Sequence, residues 1–107
     1  MVRKARVLSG AFADVKSISE LRRRLKDEGY SIFEWQDGPG AYYSPHSHPH
    51  DEFIVVASGN IVFTIDGLDY ELSAGDGFDL PAGAVHEAVN KGSQAVKYMI
   101  CTRQLSD

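Results

Sequence analysis

Beyond residue 30 the apolar residues stop following a helical period and fall into short alternating runs, cut by glycines at positions 59, 67, 75 and 83. Alternation puts successive side chains on opposite faces of an extended chain, so a run of this kind buries one face and wets the other. Ser31 to Trp35, Ala41 to His48, Glu52 to Ala57, Asn60 to Asp66, Leu68 to Leu72, Gly77 to Leu80, Val85 to Asn90 and Ala95 to Cys101 are predicted strands. Asp66-Gly67, between Ile61/Phe63/Ile65 and Tyr70/Leu72, is the hairpin signature of a tight primed turn, which demands positive φ. Gly59-Asn60, Ala74-Gly75 and Ala82-Gly83 mark further turns. The expected class is all-β, an antiparallel barrel.

The first 30 residues read differently. Ser17 followed by Glu20 forms a capping box, Ile18, Leu21 and Leu25 share one helical stripe, and Gly29 is a stop. This predicts one short amphipathic helix over 17–28, preceded by an arm or edge strand over 1–16. Arg22-Arg23-Arg24 resembles an anion site, but Glu20–Arg24, Arg23–Asp27 and Arg24–Glu28 stand four apart and can pair on a solvated face. No second helix completes a helix-turn-helix. At 107 residues there is room for one domain. Its expected organisation is an arm and helix over 1–30 packed on a barrel over 31–107.

Eleven basic against 15 acidic side chains give a net charge of -4, a field that repels phosphate backbones and anionic lipid headgroups. Neither nucleic acid nor membrane is an expected partner. With the single cysteine Cys101 no internal disulfide and no thiolate metal cluster forms, and Cys101 is expected as a small core residue of the last strand. The basic N-terminus is followed by an apolar stretch too short for a signal peptide. The expected location is the cytoplasm.

Chemistry concentrates in one constellation. His46 and His48 are two apart on a predicted strand and therefore share a face, Glu52 has the same parity, and His86 arrives from a later strand behind the turn Pro81-Ala82-Gly83. Three imidazoles and a carboxylate suit a borderline divalent ion such as Fe, Mn, Ni, Co, Cu or Zn. Spacing by itself leaves the alternative of ordinary surface polarity open. His50 continues the parity, either as a proton shuttle at the cavity mouth or as an exposed loop histidine beside Asp51.

Gly40, five residues, His46-Ser47-His48, three residues, Glu52, six residues and Gly59 resembles the first motif of the cupin superfamily at every fixed position. Gly75, five residues, Pro81-Ala82-Gly83, two residues, His86, three residues and Asn90 resembles the second. Together they span residues 40–90, about half of the chain. The resemblance implies a double-stranded β-helix, or jelly-roll barrel. It further implies one divalent transition metal per chain, held by His46, His48, Glu52 and His86. Asn90 is read as a hydrogen bonder at a strand end.

Such a barrel encloses an apolar cavity with one charged anchor, the usual make-up of a small-molecule site. Tyr42, Phe63, Phe78 and Tyr98 are the residues expected to touch a ligand. Cupins perform many reactions, so the fold does not name one. The leading expectation is an enzyme acting on a small oxygen-rich chelating substrate, through dioxygenase-like or enol and carboxylate chemistry, with Glu52 as the catalytic base. A non-catalytic binding or sensing module and a sugar-phosphate isomerase are the alternatives; against the latter, no lysine or arginine lies in 40–59 or 75–90. Val62 and Thr64, opposite Ile61, Phe63 and Ile65, leave an outer surface for a second copy, and a homodimer is expected.

Overall fold

In the computed structural model, which describes residues 2–103, every predicted strand is present, and the arm or edge strand expected over 1–16 contains a short edge strand. The order is β1 (Arg6–Leu8), α1 (Ile18–Asp27), β2 (Tyr30–Asp37), β3 (Tyr42–His46), β4 (Glu52–Ser58), β5 (Asn60–Ile65), β6 (Leu68–Ser73), β7 (Gly77–Leu80), β8 (His86–Val89) and β9 (Val96–Arg103). Five strands form one sheet in the order β1-β7-β4-β9-β2, and four form the other in the order β3-β8-β5-β6. All recorded pairings are antiparallel. The two sheets face each other as a jelly-roll barrel, so the fold class is all-β with one short helix.

Local chemistry accounts for the turns. Asp66 (φ 52°) and Gly67 (φ 77°) are both left-handed, as a primed two-residue turn requires, and Ile65 pairs Leu68 across it. Gly59 has a second reason to lack a side chain: a Cβ there would lie 2.5 Å from the Ala95 carbonyl oxygen.

Strand alternation yields two cores. Ile54, Val56, Ile61, Phe63, Leu72, Phe78, Leu80, Val96 and Tyr98 fill the interior between the sheets. Val55, Met99 and Cys101 leave the opposite face of the five-stranded sheet and meet Leu21 and Leu25 of α1, with Phe12, Tyr30, Ile32 and Phe53 around them. Cys101 is thus a buried core residue, but of the outer layer. Asn90, 1% exposed, donates to the carbonyls of Asp37 and Gln94 and accepts from the Gly92 amide, which fixes the end of β8.

Two local expectations change. The helix arginines do not pair along α1 but reach off it: Arg22 makes a two-point contact with Glu34 of β2 (2.6 and 2.9 Å), and Arg24 meets Asp14. A planar guanidinium matches a carboxylate two-point, which a neighbour on the same helix does not offer as well. Val62 is only 7% exposed in the single chain, because its cross-strand neighbours Glu71 and Val89 share its face and cover it. No helix among the described residues is long and apolar enough to cross a membrane.

Candidate metal centre

β3, β8 and the loop after β3 deliver the imidazoles. His46 sits directly opposite His86 in the β3–β8 register, with ring centroids 4.3 Å apart, and His48 follows at 5.0 Å from His46 and 5.3 Å from His86. One ring nitrogen from each lies within 4.8 Å of the others. Two rings are oriented by the backbone: Nδ1 of His46 faces the Ser44 carbonyl at 2.7 Å and Nδ1 of His86 faces the Ala84 carbonyl at 2.9 Å. A carbonyl only accepts, so the proton belongs on Nδ1 and the Nε2 lone pair is left for a metal.

His86 is 3% exposed, and burial, aided by the nearby His46 and His48, pushes its pKa below the usual histidine value, which keeps the imidazole neutral as ligation requires. The three histidines therefore fit a borderline divalent ion. Glu52 stands at their edge. Its Oε1 is 4.0 Å from His48 Nε2, while Oε2 is 3.3 Å from His50 Nε2, and its side chain is only 10% exposed. His50, with a side chain 53% exposed, thus lies at the rim against Glu52.

The centre opens on a cavity of about 330 Å³, lined by Phe33, Trp35, Tyr43, Ile54, Phe63, Ala88, Tyr98 and Ile100 besides the three histidines and Glu52. Phe63 and Tyr98 thus stand where the sequence places them. Phe78 does not reach the cavity: fully buried, it lies beneath, against Phe63 and Tyr70. Tyr42 is 56% exposed on the outside, its hydroxyl donating to Glu87.

The cause of the Tyr42 displacement is a register shift in β3. Tyr43 pairs Ala88 and His46 pairs His86, so three steps on β3 match two on β8. The inserted residue flips the parity and turns Tyr43, not Tyr42, inward. Pro45 was the available signal, since proline within a strand marks a bulge or an edge. Phe33 and Trp35 were also missed, although they alternate on β2 and Trp35 pairs the inward Tyr98.

Beside the cavity, Asp37 gathers the polar atoms of its aromatic wall. Its Oδ1 accepts from Trp35 Nε1 (3.0 Å) and the Tyr43 hydroxyl (2.7 Å), and Oδ2 accepts from the Tyr98 hydroxyl (2.6 Å). Trp35 Nε1 also lies 2.8 Å from the Tyr43 oxygen. Burial first, and hydrogen bonding to Asp37 second, raise the Tyr43 and Tyr98 pKa values, so both stay protonated donors to that carboxylate.

A model of the cupin domain matches residues 33–102, about two thirds of the chain. The chain belongs to the cupin family. Over 52 residues it is 38% identical to dimethylsulfoniopropionate lyase DddW of Ruegeria pomeroyi, a stretch covering 49% of this cupin and 34% of the relative. The chain thus spans about a third of that relative's length. Among solved structures, an uncharacterized double-stranded β-helix protein from Klebsiella pneumoniae is 27% identical with a TM-score of 0.62, covering 70% of this chain and 67% of that one. The DMSP lyase DddQ of Ruegeria pomeroyi superposes with a TM-score of 0.63 at 22% identity, over 71% of this chain and 39% of that one, and this likeness concerns the fold.

Proposed function

We propose that this cupin is a metal-dependent enzyme acting on a small carboxylate or enol that chelates one divalent ion held by His46, His48, His86 and Glu52. The observation that carries the reading is the set of three converging imidazoles at the edge of an apolar cavity of about 330 Å³ whose lining contains no lysine or arginine. That volume suits a compact ligand. A bound divalent ion there supplies Lewis acidity, polarising the substrate oxygen it holds. Ile54, Phe63, Ala88 and Ile100 exclude water around the reacting carbon. Glu52 would be the fourth ligand and, once detached from the ion, the base, with His50 at 3.3 Å to pass its proton to solvent.

The test is an optical titration of the cobalt form with oxalate and acetylacetone against acetate and a sugar phosphate. The small chelators are expected to shift the cobalt bands at lowest concentration, since the second oxygen binds without a second loss of translational entropy. Tighter binding of the sugar phosphate moves the reading to an isomerase; chelator binding without turnover of any substrate moves it to a sensing module. A homodimer in the cytoplasm remains part of this proposal, with sedimentation at micromolar concentration as its check.

A second, narrower reading is a lyase of the dimethylsulfoniopropionate type, favoured by the 38% identity to DddW. There Glu52 would take a proton from the carbon next to the carboxylate while the sulfonium departs as dimethyl sulfide. Headspace analysis of the metal-loaded protein with that substrate decides it: no dimethyl sulfide above a metal-only control removes the lyase reading and leaves the broader one standing.

A further inference from the structure

We infer that the free edge of β2 is the interface of the homodimer, the strand pairing antiparallel with its own copy so that Phe33 and Trp35 of one chain meet the partner's Trp35 and the partner's Phe33 over the cavity mouths. The inference rests on the reading that the protein is a homodimer. It adds the face that is used and what the second copy does to the site.

The two sheets leave four edges, and three of them discourage pairing. β1 has only three residues, β3 carries Pro45 and a register shift, and β6 carries the charges of Asp69 and Glu71. Short length, proline, bulges and charge are the devices that keep an exposed strand from recruiting another. β2 lacks them. Its eight residues pair β9 without interruption and include no proline or lysine, and among the described residues no strand pairs its other side. Its two acids are already engaged, Glu34 by Arg22 and Asp37 by the donors of Trp35, Tyr43 and Tyr98.

Apolar surface flanks this edge on both sides. Toward the cavity, Phe33 and Trp35 are 55% and 42% exposed although they belong to its wall, and they stack at 5.3 Å. Toward α1, Ile18 is 37% exposed and shares a depression with Trp35 and Gln36. The cavity wall is thus unfinished where β2 ends the sheet. An antiparallel pairing centred on Glu34 sets Phe33 opposite the partner's Trp35 and Trp35 opposite the partner's Phe33, two aromatic cross-strand pairs on the cavity side. On the other side each Glu34 keeps its own Arg22, where each guanidinium can also face the other copy's carboxylate. A second copy satisfies both sides at once by symmetry and closes the assembly at two chains. The front is about 26 Å long for the eight residues and about 20 Å deep through sheet and helix. That is roughly 500 Å² on each copy, which reaches the total of about 1,000 Å² that a specific interface needs.

The outer side of the four-stranded sheet competes poorly. There Val62 neighbours Glu71, Thr64 neighbours Asp69 and Glu87, and β5, β6 and β8 carry no lysine or arginine, so two such faces would bring like charges together.

Sedimentation equilibrium gives the parent's dissociation constant, and the emission of Trp35, the sole tryptophan, reports the cavity mouth. Emission is expected to shift to the red on dilution through that constant, as the ring passes from the partner to water. Phe33→Lys sets a charge against the partner's Trp35 and is expected to raise the dissociation constant about thirtyfold or more. Thr64→Lys, on the outer side of the other sheet, is expected to leave it within about twofold. Glu34→Cys needs no loss of assembly to be read: residue 34 of the two copies would have Cα atoms about 4.5–5.5 Å apart, within disulfide range. Mild oxidation should therefore give a covalent dimer, with Cys101 too deeply buried to compete. A dimer without the cross-link, with emission unchanged on dilution and Phe33→Lys as tight as the parent, overturns the β2 interface and leaves a homodimer through another face. A parent that sediments as a monomer at micromolar concentration brings down both the interface and the homodimer.

Discussion

Along β4 and β9, Ile54, Val56, Tyr98 and Ile100 turn inward, while Phe53, Val55, Met99 and Cys101 turn outward beneath α1. The outer layer is closed: Leu25 is 1% exposed and Val55 and Cys101 are fully buried. The inner layer is closed at Phe78, Leu72, Ile61 and Val96, and toward Phe33 and Trp35 it opens into the cavity. The same strands thus use one face for packing and the other for a site. A period of two lets each face be specified separately, so damage to one need not reach the other.

The largest effect should come from the inner face and be confined to it. His86→Ala removes one of three nitrogens and is expected to reduce metal content after dialysis to about a tenth or less of the parent's, by elemental analysis. Loss of a ligand removes binding free energy far exceeding a packing change. In the parent, chelator should lower the melting temperature, since an ion bound at a hundred times its Kd adds about 2.7 kcal/mol; in the variant chelator should do nothing. A parent melting point that ignores both chelator and added metal would sink the metal centre.

The pH dependence tests the same residue without metal. With its folded pKa lowered by burial, His86 is neutral in both states above about pH 6.5, and its contribution there is constant. As pH falls below 6.5 the unfolded chain takes up the proton first, so stability declines until the lower folded pKa is passed. Urea melts of chelated protein at pH 7.5 and 5.5 should show this decline, and His86→Gln should show less of it. Equal decline in both proteins would assign the effect elsewhere. Metal affinity should fall over the same window, as protons compete for the imidazoles.

The outer face should respond in stability alone. Leu25→Ala leaves a cavity under α1 and is expected to cost about 2–5 kcal/mol in denaturant melts, with metal content unchanged. Cys101 reports on that layer, because burial pushes its thiol up to about 12 and leaves it inert in the folded state. Its labelling by a thiol reagent at pH 8 should speed up in Leu25→Ala and stay slow in His86→Ala. Equal acceleration in both would mean that the two faces are not separable.

What the sequence made legible follows the same division. Alternation and the Asp66-Gly67 turn located the strands and the inner core, because period two and positive φ are local properties. The histidines were legible because they sit at fixed spacings beside their turns. The cavity wall was not. Tyr43 became inward only through the bulge before His46, which shifts parity by one residue, and Phe33 and Trp35 became a wall only when β2 paired β9. Asp37 illustrates the limit: its three donors come from positions 35, 43 and 98, and the last becomes its neighbour only through the pairing of β2 with β9. The partners of Arg22 and Arg24 were missed because a two-point carboxylate in space outcompetes one four residues away on the helix.

The smallest effect concerns how α1 begins, and it asks how much the outer layer owes to burial and how much to the helix itself. Ser17 is the N-cap, with extended backbone and its hydroxyl accepting from the Glu20 amide at 3.1 Å. Glu20 answers differently from a standard capping box, accepting from the Lys16 amide rather than the Ser17 amide. Since Ser17 is exposed, Ser17→Ala makes no cavity and removes only the capping bond, which should cost about 1 kcal/mol. Ser17→Gly should cost only a few tenths, because glycine leaves the first amides open to water. Neither should alter metal content or Trp35 emission. If urea melts place Ser17→Ala beside Leu25→Ala, the outer face is held by helix initiation as much as by the side chains it buries. If Ser17→Ala costs a fraction of Leu25→Ala, burial of Leu21 and Leu25 against β4 and β9 holds the helix in place, as expected for a ten-residue helix too short to be stable alone.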